Sequence, residues 1–239
     1  MRIAVVSDIH GNLAAFEAVL ADLRETSPDL IFHGGDLADA GSSPVEIVDR
    51  IRDLGWPGVV GNTDEMLAKP ETLEEFAGRS PQLKSLWTAI REMAALAREA
   101  LGEERLAWLR DLPREQIHAP LALVHAGPDT AWRAPNPEAS DAELESLFGP
   151  LGQPVVAYGH VHRSFIRHIG DLTVVNTGSV SLSYDGDPRA AYLLLDNSTP
   201  TIRRVEYDVE KEITALNDRA FPRAAWLAKT LRAARPQML

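Results

Sequence analysis

Hydrophobic positions along the chain follow two different spacings. Residues 1–6, Leu30–His33, 58–60, Leu121–Val124 and Val155–Tyr158 are short, nearly continuous apolar runs. Apolarity without alternation over so few residues predicts strands buried on both faces. Elsewhere the interval lengthens. Leu13, Phe16, Val19, Leu20 and Leu23 recur at helical spacing, with Asn12 placed to cap the first turn. Ser43-Pro44-Val45-Glu46 predicts a second helix start, with Ser43 as cap, Pro44 as first helical residue and Glu46 completing a capping box. Ile47, Ile51 and Leu54 supply its buried face, and Gly55 with Pro57 ends it.

A long helical stretch follows. Residues 70–75 open a short helix, and Leu86, Trp87, Ile90, Met93, Ala97 and Leu101 keep helical spacing. Residues 104–112 form another helix, stopped by Pro113. One parallel crossover needs only about a dozen residues and its helix. The surplus predicts a helical cap at about 66–114, inserted in a single domain that runs from 1 to 239. A crossover padded with helix for packing is the alternative. The loop 127–138 carries three prolines, and Asp141–Phe148 reads as a helix. Strands are predicted at 164–167, 172–175, 191–195 and 201–205, and the tail 221–239 as a helix whose Arg223, Arg232 and Arg235 form a solvated face. The fold class is α/β.

Composition narrows the function. The 239 residues are 45% hydrophobic, ample for a core, and carry a formal net charge of −11 with pI near 5.1. Such acidity argues against general nucleic-acid binding and against an anionic membrane surface. There is no cysteine, which removes disulfides, thiolate catalysis and Cys-type zinc sites. No leader precedes the first strand and no run approaches a bilayer span of about 20 residues. The expectation is a soluble, cytoplasmic protein; the pattern says nothing of oligomeric state.

The chemistry gathers where the strands end. The first run leads into Ser7-Asp8-Ile9-His10-Gly11-Asn12; the others lead to Gly35-Asp36, Gly61-Asn62, His125 and Gly159-His160-Val161-His162. Five apolar runs in order, each closed by a metal-capable side chain, usually beside a glycine, predict one shared metal site at the carboxyl ends of the strands. The Asp, His and Asn donors suit Mn²⁺, Fe or Zn²⁺, Mn²⁺ foremost, better than Ca²⁺, which prefers an all-oxygen shell.

Those motifs, in that order, resemble the calcineurin-like binuclear metallophosphoesterases, from Met1 to about Leu195. Asn176-Thr177-Gly178-Ser179 resembles a segment of their small prokaryotic phosphodiesterase branch. The resemblance implies a four-layer α-β-β-α sandwich of two facing sheets flanked by helices. It also implies two divalent transition-metal ions, one held by Asp8, His10 and His162, the other by Asn62, His125 and His160, with Asp36 bridging. Asp36, Asn62 and His125 are then expected to serve catalysis as well, around a hydroxide shared by ions about 3.5–4 Å apart. Two dications outweigh two carboxylates and a hydroxide, so a locally positive pocket is expected inside an acidic protein.

One position departs from the pattern. Monoesterase-rich branches resemble Gly-Asn-His-Asp/Glu, with the histidine protonating the leaving oxygen; this chain has Gly61-Asn62-Thr63-Asp64. A positioned acid is worth roughly 10²–10⁴-fold. Its loss favours a phosphodiester, small or nucleotide-like, over a phosphomonoester or phosphoprotein. A non-catalytic metal-bound scaffold is the rival from another class, and the intact ligand positions weigh against it. Candidate substrate contacts are Asn12, which could equally cap its helix, Arg133 and Arg189. His33, His118 and His168 are expected to be structural, and Asp39 to organise the loop after Asp36. Ser183-Tyr184 replaces the Gln-Pro that the resemblance leads one to expect.

Overall fold

The apolar runs become strands of two sheets, and the helical segments cover the sheets' outer faces. The computed structural model describes residues 1–238. In chain order these are β1 (Arg2–Val6), α1 (Leu13–Thr26), β2 (Leu30–His33), α2 (Pro44–Leu54), α3 (Asn62–Ala68), α4 (Pro70–Gly78), α5 (Lys84–Arg110), β3 (Glu115–His118) and β4 (Leu121–Val124). There follow α6 (Asp141–Phe148), β5 (Val155–Tyr158), β6 (Phe165–Ile169), β7 (Leu172–Asn176), β8 (Ala190–Asp196), β9 (Thr199–Val205), α7 (Val209–Asp218) and α8 (Ala224–Ala233). One sheet has the order β2-β1-β8-β9, the other β3-β4-β5-β7-β6. The central pairs β1/β2, β4/β5 and β5/β7 are parallel; β8, β9, β3 and β6 add antiparallel partners.

Period-two alternation on these strands builds three cores. Ile3 and Val5 of β1 face Leu123, Ala157 and Val175 of the opposite sheet. Ala4 and Val6 of the same strand face outward, onto Phe16 and Val19 of α1 and Ile47 of α2. Across the molecule, Val124, Val156 and Val174 pack on Leu144 and Phe148 of α6. Because both faces of β1 and β5 are covered, neither strand needs a polar position. The result is the expected four-layer sandwich.

Local differences from expectation have identifiable causes. Residues 58–60 are buried but make only one bridge, His33 to Gly58, because the Val60 N–H turns to the Pro113 carbonyl at 2.8 Å. Ser43 precedes α2 without a side-chain cap bond, and Glu46 pairs instead with Arg219 at 3.3 Å. The two helices expected on either side of residue 102 run together as α5, with a break at Gly102 (φ 66°, ψ 169°). The tail is helical only over α8; Arg223 and Ala234 adopt left-handed φ at its two ends, Pro236 follows, and Leu239 lies outside the described residues. Its Arg223 pairs with Glu92 on α5 and its Arg232 with Glu210 on α7, so these arginines tie helices together at the surface. Among the described residues no helix is long and apolar enough to cross a membrane.

Candidate metal centre

The metal-capable residues stand just beyond the carboxyl ends of four strands. Asp8 and His10 follow β1, Asp36 follows β2, His125 follows β4 directly, and His160 and His162 follow β5. Asn62 opens α3, on the turn that the buried Val59-Val60 run leads into. Convergence of strand ends from two sheets at one edge is where α/β folds place ligands.

The backbone is strained here. Asp8, His10, Asp36, His160 and His162 all have positive φ, between 49° and 65°, a region that non-glycine residues seldom occupy. Cross-loop hydrogen bonds impose it. The Asp8 N–H donates to the Gly35 carbonyl and the His10 N–H to that of Asp36, each at 3.0 Å, while the Gly159 N–H donates to the His125 carbonyl at 2.9 Å. The Asn176 amide donates to the Gly159 carbonyl at 2.6 Å and the Ser179 hydroxyl to that of Asp8 at 2.8 Å. The Asn-x-Gly-Ser segment thus holds the two ligand-bearing turns in place. Gly159 has to be glycine, because a Cβ there would run into the Asp8 carboxylate and the Ser7 hydroxyl.

Three imidazoles are oriented by backbone carbonyls. Nδ1 of His10 lies 3.0 Å from the Asp39 carbonyl, that of His125 2.8 Å from Gly34 and that of His162 2.7 Å from Leu182. A carbonyl only accepts, so each Nδ1 carries a proton and each ring turns its Nε2 inward. Those nitrogens crowd one another and the Asn62 oxygen. His10 Nε2 faces His162 Nε2 at 3.3 Å, and His125 Nε2 faces the Asn62 Oδ1 at 3.0 Å, which also lies 2.8 Å from His160 Nδ1. Nitrogen and oxygen atoms crowded beside two buried carboxylates draw positive charge between them, a proton or a metal ion, and oriented Nδ1–H···O=C pairs are the usual support of metal-binding histidines. The donor set therefore fits divalent ions.

The carboxylates lie among the imidazoles. One donor atom each from Asp8, His10, Asp36 and His162 lies within 4.8 Å of the others. Asp36 Oδ2 is 3.7 Å from His10 Nε2 and 3.5 Å from His125 Nε2, so it stands between this group and the group around Asn62. Burial alone would raise both carboxyls, but the neighbouring imidazoles, His162 for Asp8 and His125 for Asp36, hold both below the usual range. Burial would likewise lower His125, yet Asp36 and Asp8 push it up to about 10.

Other residues shape the site without being expected as ligands. Asp64 accepts the N–H groups of Asp36, Leu37 and Gly61 at 2.8–3.0 Å, which fixes the Asp36 backbone, and the Thr63 N–H donates to Asp36 Oδ1 at 2.8 Å. The spacing of Asp64 three residues after Gly61, at a helix start, was the available signal. Tyr184 stacks on His162 with ring centroids 4.7 Å apart, and Asp39, buried with Oδ1 unpartnered, is pushed up to about 8 by burial and by Asp36.

His10, Asn62, His160 and His162 open into a cavity of about 510 Å³, walled by α3, α4 and α5 on one side and by Tyr184 and α8 on another. The candidate substrate contacts lie outside it. Asn12 turns inward: its Oδ1 caps Ala15 at 3.0 Å and its Nδ2 donates to Ser181. Arg189 is exposed and grips Asp187 two residues away at 2.7 Å. Arg133 is exposed in a neighbouring pocket with Arg79 and Arg114, behind Phe76 and Trp132. His33 packs against Trp108, and burial lowers it to about 3, so it carries no proton to give near neutrality.

The sequence has relatives of known family. Residues 1–199 match the model of the calcineurin-like phosphoesterase superfamily domain. An uncharacterized protein of Methanocaldococcus jannaschii is 31% identical, with 96% of each chain covered. A probable cyclic nucleotide phosphodiesterase of Synechococcus is 28% identical over 70% of this chain and 71% of its own. Among solved structures, a metallophosphoesterase from Sphaerobacter thermophilus superposes with a TM-score of 0.78 at 27% identity, covering 98% of this chain and 99% of that one. The domain match spans far more than half of the sequence, and the chain belongs to the calcineurin-like phosphoesterase superfamily.

Proposed function

We propose that the protein is a metal-dependent phosphodiesterase acting on a small or nucleotide-like ester. The observation that carries this reading is the meeting of Asp8, His10, Asp36 and His162 on one side, and Asn62, His125 and His160 on the other, around Asp36. Two divalent ions held there, with Mn²⁺ favoured, would supply Lewis acidity toward a phosphoryl oxygen and acidify water for attack on phosphorus. The chain's own residues position that chemistry. Asp36 is pinned by the Thr63 N–H and by Asp64 acting on its backbone, so its carboxylate cannot drift between the two groups. Asn62 adds an oxygen donor without adding negative charge, which leaves the pocket attractive to phosphate. The helices between 66 and 114 act as the cap that excludes water and selects the ester.

Thr63 decides between ester classes. It lines the cavity, and its buried hydroxyl has no partner in the protein. A threonine hydroxyl does not protonate an alkoxide near neutral pH, and both oxygens of Asp64 are spent on backbone N–H groups. Esters whose leaving group needs little protonation are favoured, and an aryl diester is the simplest. The test is to strip the protein with chelator, restore Mn²⁺, and compare an aryl phosphodiester with the matching monoester. We expect kcat/KM higher for the diester by about tenfold or more, and turnover lost in Asp36→Asn. Monoester preference would refute the diester reading; full activity without metal would refute the metal centre.

A further inference from the structure

The cavity beside the metal centre has a composition unlike its floor. Its deeper walls are Met66, Leu73, Phe76, Trp87, Ile90 and Met93 from the cap helices, and Trp226 and Leu227 from α8 close the far side. No lysine or arginine is among its described lining residues, and beyond the imidazoles its ionisable side chains are the carboxyl of Asp39 and the phenol of Tyr184. The indole N–H groups are also spent elsewhere. Trp87 donates to the Ser80 carbonyl at 3.0 Å, Trp132 to Glu65 at 2.6 Å and Trp226 to the Gln237 carbonyl at 2.9 Å. The rings therefore show the cavity faces and edges of carbon and no donor. In a neighbouring pocket that shares Phe76 and Trp132 with this one, Arg79 pairs with Glu75 and Arg114 with Glu65.

We infer that the ester group lodged beside the metal centre is an uncharged apolar or aromatic substituent, held by its surface rather than by hydrogen bonds along its edge. The inference rests on the diesterase reading and narrows it to diesters whose single negative charge is the scissile phosphate. A second phosphate or a carboxylate would enter a low-dielectric space with no counter-charge and lose its hydration. A ring, by contrast, exchanges water for Phe76, Trp87 and Ile90, and burial of each added CH₂-sized unit strengthens binding several-fold. Hydrolysis then adds water across one P–O bond: the new P–O bond forms to the water oxygen, the ester bond breaks, and the alcohol and a phosphomonoester leave. The substituent that fills the cavity changes neither product count nor charge.

Binding is measured apart from turnover. Mn²⁺-loaded protein is titrated with dimethyl phosphate, diphenyl phosphate and bis(4-carboxyphenyl) phosphate, with tryptophan fluorescence as the readout. Diphenyl phosphate is expected to bind at least about tenfold tighter than dimethyl phosphate, and the dicarboxylate to lose that advantage although its ring is the same. Ile90→Lys should reverse the order of the two aryl esters, and Leu86→Ala, at a half-buried lining position, should shrink the phenyl-to-methyl ratio if the lysine variant fails to fold. Equal affinity for methyl and phenyl esters, or tighter binding of the dicarboxylate by the unaltered protein, overturns the inference. A phenyl preference in binding without turnover of any diester keeps the inference and overturns the diesterase reading, so the two fail separately.

Discussion

Replacing Glu212 by glutamine should stabilise the protein, and by an amount that grows with pH. Glu212 lies in α7 with 2% of its surface exposed. Its carboxylate accepts the Ser42 N–H at 2.8 Å and the Ser42 hydroxyl at 3.0 Å, which anchors the loop whose Asp39 carbonyl orients His10. Burial outweighs these bonds and pushes the group from 4.5 up to about 7. A raised carboxyl pKa means that the folded state keeps a proton which the unfolded chain has shed. Below pH 4.5 both states are protonated and the residue costs nothing; between 4.5 and 7 stability falls as pH rises; above 7 the cost is constant. At 1.36 kcal/mol per pKa unit the plateau is about 3 kcal/mol. Glutamine keeps the geometry, since its carbonyl accepts the Ser42 N–H and its amide donates to the Ser42 hydroxyl. Urea unfolding of both proteins in chelator from pH 4 to 8, followed by circular dichroism, isolates the residue because all other titrating groups cancel in the difference. The variant should match the parent near pH 4 and exceed it by up to about 3 kcal/mol at pH 8. A difference that is flat with pH, or that favours the parent at pH 8, would show that Glu212 is solvated or paired and refute the reasoning.

Three further outcomes follow from the site. Thr63→His places an imidazole beside the scissile position and should raise the monoester-to-diester ratio of kcat/KM by about tenfold or more, read with paired aryl substrates. Gly159→Ala forces a methyl group against the Asp8 carboxylate and should abolish stoichiometric metal uptake, measured by elemental analysis, while far-UV circular dichroism shows that the sheets persist. Metal binds only the folded state, so a free concentration of 100 Kd should add about 2.7 kcal/mol of stability; a melting temperature indifferent to Mn²⁺ would refute a built centre.

What was legible in the sequence is what two-sided burial writes there. β1 and β5 read as strands because helix packs on one face and the opposite sheet on the other, and the side chains at their ends read as ligands because nothing apolar demanded those positions. Residues 58–60 gave the same apolar signal, yet burial there comes without a ladder, so apolarity reported depth and not pairing. β3 was legible only as an apparent strand around His118, without bounds, because Glu115, Gln116 and His118 are polar and the strand exists through its pairing with β4 at the sheet edge. α7 was missed although its buried Ile213 and Leu216 keep helical spacing, with Glu212 as the polar residue that broke the pattern. Arg133 and Arg189 illustrate a different limit. Chain order near a motif says nothing of where a long side chain ends, and Arg189 finds a carboxylate two residues away before it reaches any pocket.

The two halves of the site are built by different means, and this separates chemistry from selectivity. The metal cradle depends on strained φ values, backbone carbonyls and a glycine without room for a methyl group, all supplied by turns that the two sheets fix against each other. Few substitutions there are neutral. The cavity depends instead on side-chain carbon from α3, α4, α5 and α8, and of these only α3 also belongs to the cradle, through Asn62 and Asp64 at its start. Exchanging Trp87 or Ile90 leaves every ligand-orienting bond intact, so the ester that fits can change while the hydrolytic centre stays as it is. An acidic chain of net charge −11 adds a constraint to that freedom. With no lysine or arginine among the described lining residues to attract an anion, the proposed binding divides into the cradle for the phosphate and apolar burial for its substituent. A small, highly charged phosphate ester gains only the first contribution, and a diester with one bulky apolar arm gains both.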